Sequence, residues 1–425
     1  MEGSINVINF VFEDLENRRN LTSYVDELGP HRFIPSAMVG SIKNQRIYST
    51  LENLFDMNED LEHCIIATGV GESPSMWAGT NYYKDNIRES LFDYLSEDSI
   101  SRLKNKKALL LLDQCLEGYQ TPWLWQFLHE ECSRLDIDPR AVVYVTGNLI
   151  SNDQYQMWAK DRIKGSLLKI IPYAHFERDI QMNAENEGII PTFESNRQYK
   201  RSNIIKTYNC LNKRPRTHRN WFYIELFKQN MLDYGLVSMN DYGTHISRLD
   251  NKFVDPIWMK EARKRLPLLV YNQSNNEKGD LYYINRITDQ IFLDTWVTVI
   301  SEASFADSDE TIFISEKTFK PIACMHPFII LGNRGSLAKL KEMGYKTFDG
   351  FINESYDNMS TFDRMAAIIR EIKRIHLIED KVQWLDSMRD ILEHNFNVLH
   401  NSKHKPNSAH TELVNYYNSY FNIKE

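Results

Sequence analysis

Short, unbroken apolar runs alternate with segments whose apolar positions recur every three or four residues. The runs Ile5–Phe12, His63–Thr68, Lys107–Leu112, Ala141–Thr146 and Leu167–Ile171 predict strands. Helical patterns at Tyr83–Leu91, Trp123–Leu135 and Asp153–Ile163 lie between them. A strand that is apolar on both faces needs cover on both sides. Strand–helix alternation of this kind implies a mainly parallel sheet between layers of helices.

The polar stretch Asn183–Ser202 reads as a linker, after which the alternation resumes. Asn203–Tyr208 predicts a strand, Thr217–Tyr234 a helix and Thr295–Ser301 a strand. Glu316–Met325 (helix), Pro327–Leu331 (strand) and Ser336–Met343 (helix) follow, and residues 360–425 read as wholly helical. The expected fold class is α/β: two Rossmann-like domains facing a cleft, with a helical C-terminal tail. The divisions fall at residues 1–195, 200–360 and 361–425, the tail packing back on both domains. Ligands of open α/β sheets bind at the carboxyl ends of the strands, so a cleft there is the expected site.

Composition narrows the reading. At 425 residues the chain exceeds the usual span of one core, and 42% hydrophobic with 25% charged residues is an ordinary globular balance. A formal net charge of −8 argues against a protein that coats nucleic acid through its overall field. Five scattered cysteines without a C-x-x-C pair read as reduced, buried thiols of a cytoplasmic protein. The chain carries no signal-peptide pattern and no run long enough for a membrane span.

Candidate chemistry concentrates in ISEKTFKPIACMHPFIILGN, residues 314–333. It sets Glu316, Lys317 and Lys320 at the start of a helix. Lysines there oppose the helix dipole unless an anion is present, whereas a glutamate is favoured in a first turn whatever the function. Free N–H groups, the dipole and two ammonium groups suit a diphosphate, and the carboxylate can accept ribose hydroxyls. A sugar diphosphate is the ligand this pattern suggests. A second cluster, Lys213-Arg214-Pro215-Arg216-Thr217-His218-Arg219, follows a predicted strand and opens a helix, where phosphate loops sit. Arg214, Arg216 and Arg219 are its best phosphate ligands, since arginine binds phosphate bidentately. The other readings of the cluster are a basic surface loop or a nucleic-acid patch.

Asp113, at the end of a buried strand, reads either as a base for an acceptor hydroxyl or as a turn-holding residue, and Glu117 is the second candidate in that loop. In Gly69-Val70-Gly71-Glu72-Ser73-Pro74-Ser75-Met76-Trp77, Glu72 and Trp77 are acceptor-side candidates, although the segment completes neither a P-loop nor a G-x-G-x-x-G motif and is more simply a turn. Asp307-Ser308-Asp309 has a metal-binding D-x-D form but lies in a polar loop. The twelve histidines show no metal-ligand spacing, and no metal is expected.

Val299-Ile300-Ser301-Glu302-Ala303-Ser304 followed by Ile314-Ser315-Glu316-Lys317 resembles the donor motif of the α1,3-fucosyltransferases, a strand ending in Phe-Glu-Asn and a Thr-Glu-Lys helix start. The chain also resembles glycosyltransferase-like proteins of tailed bacteriophages. These carry Glu-Lys-Thr-Phe-Lys-Pro, Pro-Phe-Ile, Gly-Ser-Leu and Gly-Tyr/Phe-Lys-Thr-Phe, here continuing to Asn353-Glu354-Ser355-Tyr356-Asp357. Tyr144-Val145-Thr146-Gly147-Asn148 gives fainter support in the first half. The resemblance implies a GT-B glycosyltransferase with a UDP- or GDP-sugar as co-substrate and no permanently bound cofactor. It implies that Ser315 and Glu316 line the nucleotide site, Glu316 on the ribose. Lys317 would meet the diphosphate, assisted by an arginine of 213–219, and Glu302 would lie near the donor sugar as a catalytic candidate. The acceptor it suggests is a hydroxymethylated base in phage DNA or a glycan. A non-catalytic nucleotide- or nucleic-acid-binding protein on the same fold is the competing reading.

Overall fold

The computed structural model describes residues 8–13, 45–48, 62–68, 90–118, 122–186, 188–189, 191–203, 205–212, 216–241, 256–270, 290–305, 311–401 and 408–423. The chain divides into two compact units, residues 1–175 with 404–425, and residues 176–403.

The first unit holds strands β1 (Ile8–Glu13), β2 (Gln45–Tyr48), β3 (Cys64–Thr68), β4 (Ala108–Gln114), β5 (Val142–Thr146) and β6 (Lys169–Pro172). They form one parallel sheet in the order β2-β1-β3-β4-β5-β6. Alternation along the strands sorts residues to its two faces. Ile66, Leu110, Leu112 and Tyr144 join one core with the helices Pro122–Arg134 and Ser151–Lys160. Ile65, Leu109, Leu111 and Val145 join the other. The C-terminal helix Ser408–Tyr420 covers that second face with Leu413 and Tyr417, and Phe421 follows it. Side chains of this size each contribute about 1.5–3 kcal/mol when withdrawn from water. Polar contacts fix the placement: Lys169 pairs with Glu412 at 2.5 Å, and the Tyr416 hydroxyl donates to the Arg140 carbonyl at 2.6 Å.

The second unit holds β7 (Lys206–Asn212), β8 (Gly235–Met239), β9 (Thr295–Ser301) and β10 (Phe328–Leu331), all parallel, in the order β10-β9-β7-β8. Both sheets and the C-terminal helices match the expected α/β class. Two expectations are corrected. The stretch 183–202 is not an open linker, because it carries the end of the helix His175–Asn186 and the helix Phe193–Ser202. Thr192 opens the latter with a capping box to Ser195, a helix start written in small polar residues that also signal loops. These helices belong to the second unit, whose body begins at Phe176. The tail is shared: Thr361–His376, Lys381–Asp386 and Arg389–His400 lie in the second unit, and Ser408–Tyr420 lies in the first.

In the second sheet, chain order reverses between β7 and β9: β8 lies to one side of β7, then β9 and β10 to the other. Open α/β sheets bind ligands at the carboxyl side of such a switch point. Buried polar groups hold this strand pair in register. The Asn209 amide donates to Thr295 Oγ1 at 2.7 Å and Thr298 Oγ1 at 2.8 Å, across the Asn209–Thr298 pairing. Buried Lys200 donates to the carbonyls of Phe292, Leu293 and Thr295, ending the short helix Gln290–Leu293 where β9 begins. Burial pushes the Lys200 ammonium down to about 7, while three carbonyl acceptors matched to its three donors favour the charged form. Lys200→Met is expected to leave those carbonyls unpaired and to cost about 3 kcal/mol in a denaturant titration, with the m-value unchanged.

Candidate functional site

Three loops and one helix start meet at the carboxyl ends of β7, β9 and β10. Glu302, the residue after β9, organises them. It is 2% exposed, and its backbone N–H donates to the Leu331 carbonyl of β10 at 3.0 Å. Its carboxylate accepts from Ser315 N–H (3.1 Å), Ser315 Oγ (2.6 Å), Thr318 Oγ1 (2.8 Å) and Ala303 N–H (3.3 Å). These bonds tie the N-cap and first turn of the helix Glu316–Ala323 to the end of β9. Gly332 permits the close packing, since a Cβ there would meet Glu302 Cβ and Cγ at 3.4 Å and Ile330 Cγ2 at 3.0 Å. With four donors already on its carboxylate, Glu302 is a positioning residue in this geometry, whereas the sequence motif suggested a catalytic one.

The helix begins at Ser315, whose hydroxyl accepts from Lys317 N–H, and it ends before Met325, which adopts φ +48° ahead of His326-Pro327. Glu316 is buried and receives Lys317 Nζ at 2.5 Å; the same ammonium donates to Ser315 Oγ at 3.2 Å. Burial alone would raise the Glu316 carboxyl. Lys317, then Lys320 and its own backbone N–H outweigh burial and leave it below the ordinary glutamate value.

From the β7 side, Arg216 is the N-cap residue of the helix Thr217–Lys228, and its guanidinium donates to the Ala303 carbonyl at 2.7 Å. Buried Arg219 donates to the carbonyls of Ser301 and Glu302 at 3.1 and 3.2 Å. Burial, then repulsion from Arg216, pulls its guanidinium below the usual value, with Glu302, Cys210 and Glu316 acting against them. His218 Nε2 lies 3.0 Å from the Glu302 carbonyl, and burial with the two arginines pushes its pKa down to about 3. It is therefore neutral at physiological pH and donates through Nε2. The Phe305 ring lies 5.5 Å from the His218 ring and 5.1 Å from the Arg364 guanidinium.

Thus Arg216, Arg219, Glu302, Ser315, Glu316 and Lys317 converge, with Lys320 within electrostatic reach of Glu316. Arg214, Glu72, Trp77 and the Asp307–Asp309 segment lie outside the described residues. Asp113 is fully buried in β4, where Oδ1 accepts Cys115 N–H at 2.9 Å, the turn-holding arrangement. Glu117 is half-buried in the following turn. Among the described residues no cluster of three His, Cys, Asp or Glu is placed to hold a metal ion.

Sequence reasoning missed His218, Arg364 and Asp179. Arg364 is 1% exposed and donates to the carbonyls of Gly332 and Met359 at 2.6 and 2.8 Å, bracing the turn after β10. Asp179 belongs to the helix His175–Asn186, which the Glu177 carboxylate fastens to the Tyr345 hydroxyl at 2.7 Å. The segment Asn353–Asp357 makes structural bonds: Glu354 accepts from Thr347 Oγ1 and Phe348 N–H, Asp357 from Leu337 N–H, and the Tyr356 hydroxyl from Ile330 N–H of β10.

No protein-family model and no curated protein matches the sequence. Among solved structures, a UDP-forming α,α-trehalose-phosphate synthase from Burkholderia xenovorans aligns at TM-score 0.46 and 9% identity over 96% of this chain and 86% of that one. A glycosyltransferase from Rickettsia africae aligns at 0.39 and 11% over 93% and 83%. S. aureus MnaA, in a co-structure with UDP, aligns at 0.37 and 10% over 98% and 97%. At such identities and TM-scores these likenesses carry no weight for the activity.

Glu302→Gln turns an amide N–H₂ toward donors that need an acceptor. Charge-assisted hydrogen bonds of this kind contribute about 1.5–3 kcal/mol, and the variant is expected to lose about that much in chemical denaturation. Wild-type stability would show that the clamp does not hold the helix.

Proposed function

We propose that the chain is a glycosyltransferase of GT-B type that moves a sugar from a nucleotide diphosphate sugar to an acceptor hydroxyl. One observation carries the proposal. A helix N-terminus bearing Glu316, Lys317 and Lys320 is fastened at the switch point of a parallel sheet, with Arg216 and Arg219 beside it. Anionic ligands favour such a terminus, and the lysines add charge without a metal.

In the reaction proposed, the acceptor oxygen forms a bond to the sugar C1 while the bond from C1 to the diphosphate oxygen breaks. The electron pair leaves with the nucleoside diphosphate, and Lys317 and Lys320 stabilise the charge that builds there. The acceptor proton passes to a carboxylate. Asp113 and Glu117 are the two candidates, Asp113 being buried and engaged in its own turn. Glu316 takes the ribose. UDP- and GDP-sugars are the donors proposed, and the acceptor is a hydroxymethylated base in DNA or a glycan, following the motif resemblance.

A thermal-shift panel of UDP, GDP, ADP, CDP and dTDP tests the donor site. The cognate nucleotide at a hundred times its dissociation constant is expected to add about 2.7 kcal/mol and to stand clear of the others. Lys317→Ala should weaken that nucleotide about 10- to 100-fold, the effect of one charge-assisted phosphate contact, and should also lower the unliganded melting temperature, because buried Glu316 loses its nearest cation. No shift with any of the five would favour the non-catalytic reading.

A further inference from the structure

Asp179 lies on the helix His175–Asn186, outside every motif of the donor segment. Its helix is nonetheless part of the second unit. Glu177 accepts from the Tyr345 hydroxyl at 2.7 Å, and the Phe176 ring meets Phe313 edge-on at 5.9 Å, just before the donor helix begins. The charged groups that act on Asp179 are Glu316 and Lys320 of that helix, and Asn183 of its own helix supplies a hydrogen bond. Its Oδ2 is buried and meets no hydrogen-bond donor among the described residues. A buried carboxylate oxygen without a donor is costly, and such an atom calls for a donor from a ligand, an ion or an ordered water.

We infer that Asp179 is a second carboxylate of the donor site and accepts one hydroxyl of the ribose 2′,3′-diol, with Glu316 accepting the other. The inference rests on the donor-site reading above and extends it to specificity. A site that holds one hydroxyl on buried Glu316 and the other on the buried Oδ2 of half-buried Asp179 rejects a nucleotide lacking one, because an acceptor is then left unpaired. The electrostatics agree with this placement. Burial, then Glu316, pushes the Asp179 carboxyl up to about 6, against the opposing pull of Lys320 and Asn183. The folded state therefore binds this proton more tightly than the unfolded chain. Stability attributable to Asp179 falls as pH rises through about 4 to 6 and stays low above that range. A residue that costs stability and faces a ligand site follows the usual trade of stability for binding.

The test measures binding of the nucleoside diphosphate that shifts the wild-type protein, together with its 2′-deoxy and 3′-deoxy forms. Wild type is expected to prefer the ribo form over at least one deoxy form by about 10- to 100-fold. Asp179→Ala should collapse that preference to about twofold or less, whereas Lys317→Ala should weaken all three forms alike and keep the preference. Asp179→Asn retains the volume. It is expected to melt above wild type at pH 8, with a gain that shrinks toward pH 4, and to bind the ribo form more weakly. An Asp179→Ala variant with the wild-type preference, or an Asp179→Asn variant with wild-type binding, overturns the role of Asp179 and leaves the donor site standing. A wild-type protein that binds none of the five parent diphosphates overturns both.

Discussion

The arrangement of the second unit depends on one buried carboxylate. Glu302 reads two structural levels at once: its backbone is bonded to β10 at Leu331, and its side chain holds Ser315 and Thr318 at the start of the helix Glu316–Ala323. A buried carboxylate is tolerated only when its acceptor capacity is used, and four donors use it. The helix is therefore fixed relative to the sheet by geometry that cannot relax without stranding a charge. The carbonyls on either side do further work, because Arg219 takes those of Ser301 and Glu302, and Arg216 takes that of Ala303. Two cations are thus held beside the helix start by backbone acceptors. Those acceptors carry only partial charge and do not neutralise a guanidinium group as a carboxylate would.

The same economy explains the neutral histidine. His218 sits between two arginines at the end of β9, where a third cation would be unfavourable. Its depressed pKa lets it serve as an uncharged donor to the Glu302 carbonyl. The basic segment was expected as an anion site from its position after a strand. That one member would be a neutral brace was not, since neutrality follows from burial and from neighbours brought together only by the fold.

Strands were the most legible elements. Thr295–Ser301 is observed with the bounds its apolar run suggests, and β3 to β6 differ by two residues or fewer at either end. Continuous apolar runs with two buried faces leave little freedom. Gly235–Met239 escaped because its run is short and ends in Ser238-Met239, and the polar stretch 183–202 misled because a capping box and a loop share the same small polar residues. The motif around Glu316 was legible as chemistry, yet the partition of labour within it was not. Glu302 and Glu316 are both glutamates flanking one helix start. Only the donors on each separate a carboxylate held by four hydrogen bonds from one that faces a lysine.

Asp179 shows where sequence reading stops for a physical reason. An isolated aspartate is an ordinary surface residue by pattern, and position 179 fell within the division expected at residues 1–195. Tertiary packing changes its character, because the Glu177–Tyr345 bond holds the helix within the second unit, and Asp179 comes within electrostatic reach of Glu316 and Lys320. A carboxylate pair sharing one lysine, with a second lysine already committed to Glu316, carries more acceptor capacity than the protein's own donors satisfy. Excess acceptor capacity beside cations is the complement of a ligand that is anionic at one end and rich in hydroxyls at the other. A nucleoside diphosphate has that polarity, and neither the lysines nor the carboxylates alone would select for it.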